Sequence, residues 1–574
     1  MRVARKKLLR TGSVNQKPGK VEDSKFLLVG NLTEKSTTQI WVNKMRKKND
    51  MKKTTKKKTD ISRRKFIGAA AITAASVFNI VPRHVLGGAN FTSPSEVIRM
   101  AGIGCGSHAS FFFPGMINET GSKMVALCDV DTEFPKLPVI RASGGAHYDG
   151  VYQTYPENEV PRFQDYNEML ERNDLDIDAV LVATPDHQHM PVTMAAFRKD
   201  KHVYCEKDLG VNIYSVREAT QFAKSNNRVT QMGIGNHGRV EMRRIAEAIQ
   251  TGVIGDVTEV NVWCDDEYVA KSTSTWPPRT VGKAWKTRAN SDLQLPAYNG
   301  SPPAGFDWEA WLGPAKDHPY AGPGKYHHRN WRDWWDFGGG RIADIGCHAM
   351  DWVFFALNLK YPLSVEAEGR FEAGDERAAD WLKVKWDFPA RENMQPVTVN
   401  WYDGNTRPDN YQYIQKELND NSGDTDGWAR ASMFIGTEGI LVAQFYPTRW
   451  KLYPLKRGSN KYANFNYNKR LSIFPYSKGH YREFTTGIKA GDPNITQCGF
   501  DYSGPLSETV LLGIAAYRTG KKLEWDPRNL KAIGTPEADQ FLKGEYRAGW
   551  ALPSPVLPDN NYPADRENKL KVSQ

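Results

Sequence analysis

Apolar and polar positions follow two different patterns along the chain, and one gives way to the other near residue 230. From Val97 onward, short apolar runs alternate with segments that have the spacing of amphipathic helices. Apolar runs of this length are typical of buried parallel strands, and their alternation with helices predicts a sheet connected by crossover helices. The runs are VIRMAGIG, KMVALCDVD, DIDAVLVATP and HVYCEK, with helical spacing in QDYNEMLERN and MPVTMAAFRK.

Beyond that point, long strand-like segments follow one another without intervening helices, which favours a mostly antiparallel sheet. The sequence therefore predicts an α/β protein with an N-terminal Rossmann domain over 96–230 and a C-terminal α+β domain with an open, mostly antiparallel sheet over 231–574. The strand segments are LSVEAEGRFEA, DWLKVKWDF and PVTVNWYDG, and the helical ones are RVEMRRIAEAIQTGVIG, GGGRIADIGCHAMDWVFFAL and SETVLLGIAAYRTG.

The positive charge of the chain is concentrated at its beginning. The 574 residues carry a net charge of +11, and residues 1–65 hold 21 basic against 5 acidic side chains, which is +16. The remainder therefore carries 11 − 16 = −5. Because the folded part is slightly acidic, we do not expect it to bind nucleic acid.

This basic leader has the features of an export signal. Residues 1–60 are basic, and residues 61–88 contain an apolar run too short to span about 30 Å of hydrocarbon. The segment Ser62–Ile67, SRRKFI, matches the twin-arginine signal. We therefore expect a bacterial periplasmic protein without a membrane span in its mature form; the alternative is an ordinary basic patch before an alanine-rich helix. Met51 begins a conventional signal peptide, so residues 1–50 are interpreted as an upstream extension.

Six cysteines are scattered through the chain without a C-x-x-C pair or metal-ligand spacing. Most have apolar neighbours, so the pattern favours buried free thiols over a disulfide framework.

A dinucleotide fingerprint follows the first predicted strand. In AGIGCGSHA, Gly104, Gly106 and Ala109 have the spacing that allows a tight turn and the approach of a pyrophosphate to a helix N-terminus. Asp129 ends the next strand, where a carboxylate accepts the ribose hydroxyls and repels a 2′-phosphate. The pattern predicts NAD rather than NADP as the cofactor; the alternative is a glycine-rich turn without a ligand.

Two further polar segments follow strand ends. ATPDHQH, at 183–189, comes after the third strand, where side chains face the ligand crevice of a parallel sheet. His187 and His189 are a conceivable metal pair, but no third ligand has a matching spacing, so no metal is expected. HVYCEKDLG, at 202–210, places a lysine between two acids at the end of the fourth strand.

Together these segments resemble the Gfo/Idh/MocA oxidoreductase family, in which a nucleotide fingerprint is followed by Thr-Pro-x-x-x-His and Glu-Lys-Pro. The counterparts of the last two motifs are Thr184, Pro185 and His189, then Glu206 and Lys207. The resemblance covers about 96–574, because the tail also looks like the bacterial C-terminal region of that family. It implies that these residues, apart from the lysine, contact the cofactor, and it leaves open a homo-oligomer formed through the C-terminal sheet.

The resemblance also implies catalytic roles. Lys207 is expected to face the nicotinamide and the reacting hydroxyl, where a cation can stabilise an alkoxide or relay a proton. The family's proline is Asp208 here, so the way in which Lys207 is presented stays open. Asp344 and His348 have i, i+4 spacing and share one helix face. In the family such a histidine is the general base, and we expect it to titrate near neutrality.

Three residues before that helix are candidates for sugar binding. Trp331 and Trp335 offer flat faces for sugar C–H groups, and Arg332 can bond hydroxyls. The alternative is that the tryptophans belong to the core.

These expectations combine into NAD-dependent oxidation of a secondary hydroxyl on a sugar, glycoside or polyol. Export implies a retained cofactor that is recycled within one site, because little free NAD is available outside the cytoplasm. Hydride transfer between two sugars would satisfy that requirement. An NAD-dependent glycoside hydrolase that works by transient oxidation and elimination is the alternative, and a non-catalytic sugar sensor is a third possibility.

Overall fold

The computed structural model describes residues 96–140, 147–264, 300–322, 325–327, 330–369, 376–379, 381–404, 406–411, 428, 430–445, 449–456, 458–469 and 473–550. The predicted leader and export signal lie outside these residues. Among the described helices, none combines the length and the apolar character needed to cross a bilayer. All six cysteines are buried and unpaired, as predicted.

The first domain is a six-stranded, fully parallel sheet, which confirms the predicted Rossmann fold. Its strands are β1 (Arg99–Ile103), β2 (Lys123–Cys128), β5 (Arg162–Phe163), β6 (Ala179–Val182), β7 (His202–Cys205) and β8 (Thr230–Met232), and a separate pair is formed by β3 (Val139–Ile140) and β4 (His147–Tyr148).

The strand order is β5-β2-β1-β6-β7-β8. Strands β2 and β5 are added on one side of β1 and strands β6 to β8 on the other, so the order of addition reverses between β1 and β6. In open parallel sheets, ligands bind at the carboxyl ends of the strands beside such a reversal. The connecting helices are α1 (Ala109–Thr120), α2 (Val151–Thr154), α3 (Tyr166–Glu171), α4 (Asp186–Arg198) and α5 (Ile213–Ser225).

Helix α4 begins earlier than the apolar spacing predicted. Its first residue is Asp186, and Pro185 is its N-cap with an extended backbone. A proline fixes φ at the entry of a helix and cannot donate to a preceding turn, so the helix starts directly behind it. As a result, the polar residues after Pro185 form the first turn of α4 rather than a loop.

The second domain is built on a nine-stranded sheet of order β15-β14-β13-β9-β12-β11-β10-β16-β17, in which only β9 and β12 pair in parallel. The predicted antiparallel sheet is therefore confirmed, and buried and less buried residues alternate along β11 and β12. Its strands are β9 (Val257–Cys264), β10 (Ser364–Gly369), β11 (Leu382–Phe388), β12 (Val397–Asp403), β13 (Arg430–Gly436), β14 (Gly439–Gln444), β15 (Trp450–Pro454), β16 (Leu523–Asp526) and β17 (Lys531–Ile533).

One long helix of this domain packs against two other helices, Val240–Gln250 and Phe500–Thr519, and against strand β13, and it carries the predicted catalytic pair. It is α8, and its interior residues belong to a hydrophobic core shared with the Rossmann domain. The helices are α6 (Val240–Gln250), α7 (Trp308–Leu312), α8 (Gly340–Leu357), α9 (His480–Ala490), α10 (Phe500–Thr519) and α11 (Asp539–Lys543).

A buried ion pair joins the two domains. Arg217 on α5 donates from Nε to Glu508 Oε1 on α10 at 2.7 Å, and both side chains are at most 2% exposed. Removing one partner leaves an uncompensated buried charge, which typically costs about 3–5 kcal/mol. We therefore expect Glu508→Gln to lower the free energy of unfolding by about that amount, measured by denaturant titration.

The same two helices supply a matched control. Lys224 on α5 and Asp501 on α10 form a long pair of 3.9 Å with both side chains more than half exposed. Surface pairs contribute at most about 1 kcal/mol, so Asp501→Asn is expected to change stability within that range. If Glu508→Gln and Asp501→Asn lowered the free energy of unfolding equally, burial would not be what makes the Arg217–Glu508 pair important.

Candidate active site

The phosphate loop has the geometry that the fingerprint predicts. Gly104 has φ +85°, and a Cβ atom there would lie 2.6 Å from the backbone of Ala183, so both the turn and the packing require glycine. At Gly106 the nearest heavy atom to an added Cβ would be 3.6 Å away, on the Phe134 ring. An added Cβ at Gly106 would therefore make only an ordinary contact, and Ala109 begins helix α1 directly behind the loop. This arrangement fits a pyrophosphate held at a helix N-terminus.

Asp129 lies at the end of β2 and ties two backbone segments together. Its Oδ2 accepts a hydrogen bond from the Cys105 N–H at 2.6 Å, and its Oδ1 accepts one from the Asp131 N–H at 2.9 Å. Burial raises the pKa of Asp129 to about 7, although both hydrogen bonds favour the carboxylate. Each oxygen retains a second lone pair, so the predicted contact with ribose hydroxyls is compatible with this geometry.

Asp129→Asn is expected to relax the preference for NAD over NADP. The amide keeps an acceptor for the Cys105 N–H but removes the negative charge that would repel a 2′-phosphate. The ratio of dissociation constants for the two dinucleotides, measured by titration, is the readout. An unchanged ratio would mean that another residue reads the ribose.

The segment after β6 contains a buried hydroxyl without a described hydrogen-bond partner and a histidine whose two ring nitrogens both lie against backbone carbonyls. Thr184 Oγ1 is buried, and no described residue provides it with a hydrogen-bond partner. His189 Nε2 lies 2.9 Å from the Thr184 carbonyl, and Nδ1 contacts the Asp208 carbonyl. Burial lowers the pKa of His189 to about 4. Both ring nitrogens therefore lie against protein carbonyls, and the neutral ring donates to one of them. The contact of His189 with the cofactor stays a prediction.

Lys207 reaches from the end of β7 to helix α8. Its Nζ donates to the Asp344 carbonyl at 2.7 Å and to Asp344 Oδ1 at 2.9 Å, and Arg332 Nε donates to the same Oδ1 at 3.1 Å. The Lys207 side chain is 11% exposed and that of Asp344 is 13% exposed. An ammonium group has three N–H donors, so one remains for a reacting oxygen.

Asp208 does not pair with its neighbouring lysine. The Lys207–Asp208 peptide bond is cis. The carboxyl group of Asp208 is fully buried, accepts the Leu209 N–H at 2.8 Å and lies 3.5 Å from Cys347 Sγ. Burial raises the pKa of Asp208 to about 6. The partner of Lys207 in this structure is thus Asp344.

His348 lies one turn after Asp344 on α8, with its ring edge-to-face against Phe445. Its Nδ1 is buried and has no hydrogen-bond partner among the described residues. Burial, and next the charge of Lys207, lower the pKa of His348 to about 4. This pKa lies below the value near neutrality that the sequence suggested, and a neutral imidazole keeps one ring nitrogen as a proton acceptor.

For the two candidate sugar-binding tryptophans, the structure favours the alternative that they belong to the core. Trp331 and Trp335 are each 5% exposed, and both belong to hydrophobic clusters. Aromatic side chains bury large areas, and both indoles contribute to hydrophobic packing here. The guanidinium of Arg332 lies over the Trp331 ring at 4.1 Å while its Nε reaches Asp344. Of the three candidates, only Arg332 enters the polar cluster.

Two residues near the site had been given no role. Asp186, the first residue of α4, is 3% exposed and lies within electrostatic reach of Lys207 and Arg332. Burial raises the pKa of Asp186 well above its usual range, although both cations oppose the shift. His108 Nε2 lies 3.1 Å from Glu206 Oε1. The position of Asp186 at a strand end was a usable signal, whereas no local pattern links His108 to Glu206.

In the described ranges, no group of three or more histidine, cysteine, aspartate or glutamate side chains is arranged to hold a metal ion. His187 Nε2 donates to the Trp311 carbonyl at 2.9 Å, away from the His189 contacts. The two histidines therefore serve separate backbone segments.

Comparison with known families gives two matches along the chain. The model of the GFO_IDH_MocA oxidoreductase family, NAD-binding Rossmann fold, matches residues 98–234. The model of the C-terminal alpha/beta domain of the oxidoreductase family, GFO_IDH_MocA_C2, matches residues 267–415.

Individual relatives are more distant. A glycosyl hydrolase family 109 protein of Saccharopolyspora erythraea is 24% identical over 213 residues, 37% of this chain and 44% of that protein. A 1,5-anhydro-D-fructose reductase of Ensifer adhaerens is 30% identical over 155 residues, 27% of this chain and 41% of that protein. The chain thus spans less than half the length of these curated relatives.

Among solved structures, the WlbA dehydrogenase of Bordetella pertussis with NADH and UDP-GlcNAcA aligns with a TM-score of 0.47 and 14% identity, covering 75% of this chain and 99% of that one. An inositol dehydrogenase homologue of Azotobacter vinelandii with NADH and myo-inositol aligns with a TM-score of 0.45 and 14% identity, covering 75% and 98%.

Proposed function

We propose that this chain, which belongs to the Gfo/Idh/MocA family of oxidoreductases, oxidises a secondary hydroxyl of a sugar, glycoside or polyol with NAD as the acceptor. The observation that carries the proposal is the cluster of Lys207, Asp344 and His348. Lys207 and Asp344, which are 137 positions apart in the sequence, form a hydrogen bond here, at the end of a Rossmann strand. Bound NAD would supply the hydride acceptor.

The residues around the Rossmann strand ends suit a dinucleotide. Gly106 presents its backbone without a side chain just before the N-terminus of α1, and Thr184 Oγ1 is a buried hydroxyl without a hydrogen-bond partner among the described residues. Asp129 stands at the end of the neighbouring strand, where it can accept ribose hydroxyls.

The three cluster residues divide the work on the substrate. His348 has a lowered pKa and accepts the hydroxyl proton on the ring nitrogen that carries no proton. Lys207 directs its remaining N–H toward the reacting oxygen and stabilises the negative charge that develops there. Asp344 holds Lys207 and Arg332 in position and orients the substrate hydroxyls.

The charge of the cluster favours this direction of reaction. Lys207 and Arg332 share the single carboxylate of Asp344, and burial raises the pKa of Asp186 well above its usual range. An ammonium group directed at the reacting oxygen stabilises an alkoxide more than the parent alcohol.

The site is proposed to work outside the cytoplasm with a retained cofactor. The SRRKFI motif supports export of the folded protein with its cofactor bound. We expect the full chain with Arg63 and Arg64 replaced by lysines to stay in the cytoplasm and to purify with near-stoichiometric dinucleotide after dialysis. Cell fractionation and mass spectrometry of the released nucleotide are the readouts. An empty protein, or periplasmic accumulation of the variant, would contradict this part.

Glycoside cleavage through transient oxidation is the second candidate. It is supported by the similarity to glycosyl hydrolase family 109 proteins over part of the chain. Incubating the purified protein with a panel of glycosides separates the two reactions. A keto-sugar that retains its aglycone supports net oxidation, whereas released aglycone without net reduction of NAD supports cleavage.

A further inference from the structure

We infer that His108 is a cofactor-retaining residue, which forms with Glu206 a clasp across the path of the bound dinucleotide. The inference rests on the proposed function, because it concerns the same NAD site. It assigns to His108 a role in how slowly the cofactor leaves, and none in the chemical step.

The two residues come from strands that are not neighbours. His108 follows the phosphate loop after β1 and is the N-cap of α1, whereas Glu206 follows β7. In the sheet, β6 lies between β1 and β7. Their 3.1 Å contact therefore spans the carboxyl end of β6, across two strand spacings or about 10 Å.

That position is the point where the strand order reverses. A dinucleotide bound to such a sheet crosses from one half to the other at this reversal, with its pyrophosphate at the N-terminus of the first helix. Thr184, at the end of β6, lies between the two strands that carry the clasp. Its buried Oγ1 is unsatisfied among the described residues, which marks this strand end as a place for a polar ligand.

The two partners differ in freedom of movement. The Glu206 side chain is 10% exposed, and a Cβ on Gly233 would lie 2.4 Å from its Oε2, so the carboxylate is closely packed. Burial raises the pKa of Glu206, but His108 and Lys207 outweigh it, so the pKa of this carboxyl lies below its ordinary value. The His108 side chain is 45% exposed. Glu206 is thus the fixed partner, and rotation of His108 opens and closes the clasp.

His108→Ala is therefore expected to speed NAD(H) release by about 10- to 100-fold, the usual effect of losing a hydrogen bond to a charged group. The experiment uses the full chain loaded with NADH, chased with excess NAD, while the fluorescence of bound NADH is followed. Glu206→Met and the double variant complete a cycle. Because the two residues act through one contact, His108→Ala should cause little further acceleration in the Glu206→Met background.

A control variant lies on the same helix. Glu119→Gln removes an exposed pair with Arg482 at 3.7 Å, at the other end of α1, and should leave release unchanged. His108→Lys places another N–H donor opposite Glu206 and should return most of the slow release, which excludes a folding defect as the cause.

The clasp would be refuted if His108→Ala released NADH at the wild-type rate. It would also be refuted if His108→Ala accelerated NADH release equally in the wild-type and Glu206→Met backgrounds. A chain that binds no NAD would instead refute the proposed function. A chain that binds NAD and oxidises hydroxyls, yet releases NADH independently of His108, refutes the clasp alone.

Discussion

Lys207→Met is expected to abolish turnover, by about 10³-fold or more, while NAD binding is retained. The ammonium group holds Asp344 through two of its donors, and the third is available to the reacting oxygen. Methionine has a similar length but cannot donate, and its introduction removes the positive charge beside the reacting oxygen. The cofactor contacts predicted at Gly106 and Asp129 are left intact. Steady-state kinetics and an NAD titration are the two measurements.

Lys316→Met is the matched control for this experiment. Lys316 is 56% exposed and pairs with Glu545, away from the cluster. Its replacement should leave turnover unchanged. Turnover near the wild-type level in Lys207→Met would refute the assigned role, whereas loss of both turnover and NAD binding would assign Lys207 to the cofactor.

His348→Asn is expected to lower kcat by about 10²- to 10⁴-fold, the range for a positioned acid–base group. Asparagine retains a polar side chain but cannot accept the proton. His318→Asn is the control, because His318 pairs with Asp336 rather than with Lys207 or Asp344. A loss of only a fewfold in His348→Asn would indicate a structural histidine.

The pH dependence offers an independent check on His348. A base must be unprotonated to act, so kcat/KM falls as the pH drops through its pKa. The pKa of His348 is lowered to about 4 by burial and Lys207, so its acid limb should appear near that pH. A limb near the ordinary histidine value of about 6.5, absent from His348→Asn, would contradict the burial of the imidazole.

Much of the fold and part of the site could be predicted from local sequence. The spacing of Gly104, Gly106 and Ala109 encodes a turn before a helix, and the i, i+4 spacing of Asp344 and His348 fixes them on one helix face. These are short-range relations that survive in any tertiary context. The switch from helix-separated strands to consecutive strands likewise indicated the two types of sheet.

The remaining features depend on contacts between distant segments. Tryptophans at positions 331 and 335 look the same in the sequence whether they bind sugars or fill a core. Only their packing in the folded protein distinguishes these two roles. The low pKa of His348 arises from burial and from a lysine that lies 141 positions earlier in the sequence. The contact between His108 and Glu206 requires the strand order of the sheet, which no local pattern contains.

Deuterium transfer tests the central claim most directly. Protein loaded with NAD is mixed with myo-inositol or a methyl glycoside that is deuterated at its carbinol carbons, and the dinucleotide is recovered for mass spectrometry. The account predicts deuterium in the reduced nicotinamide together with a keto product, and neither in Lys207→Met. Unlabelled NAD recovered from wild-type protein that has bound both partners would contradict it.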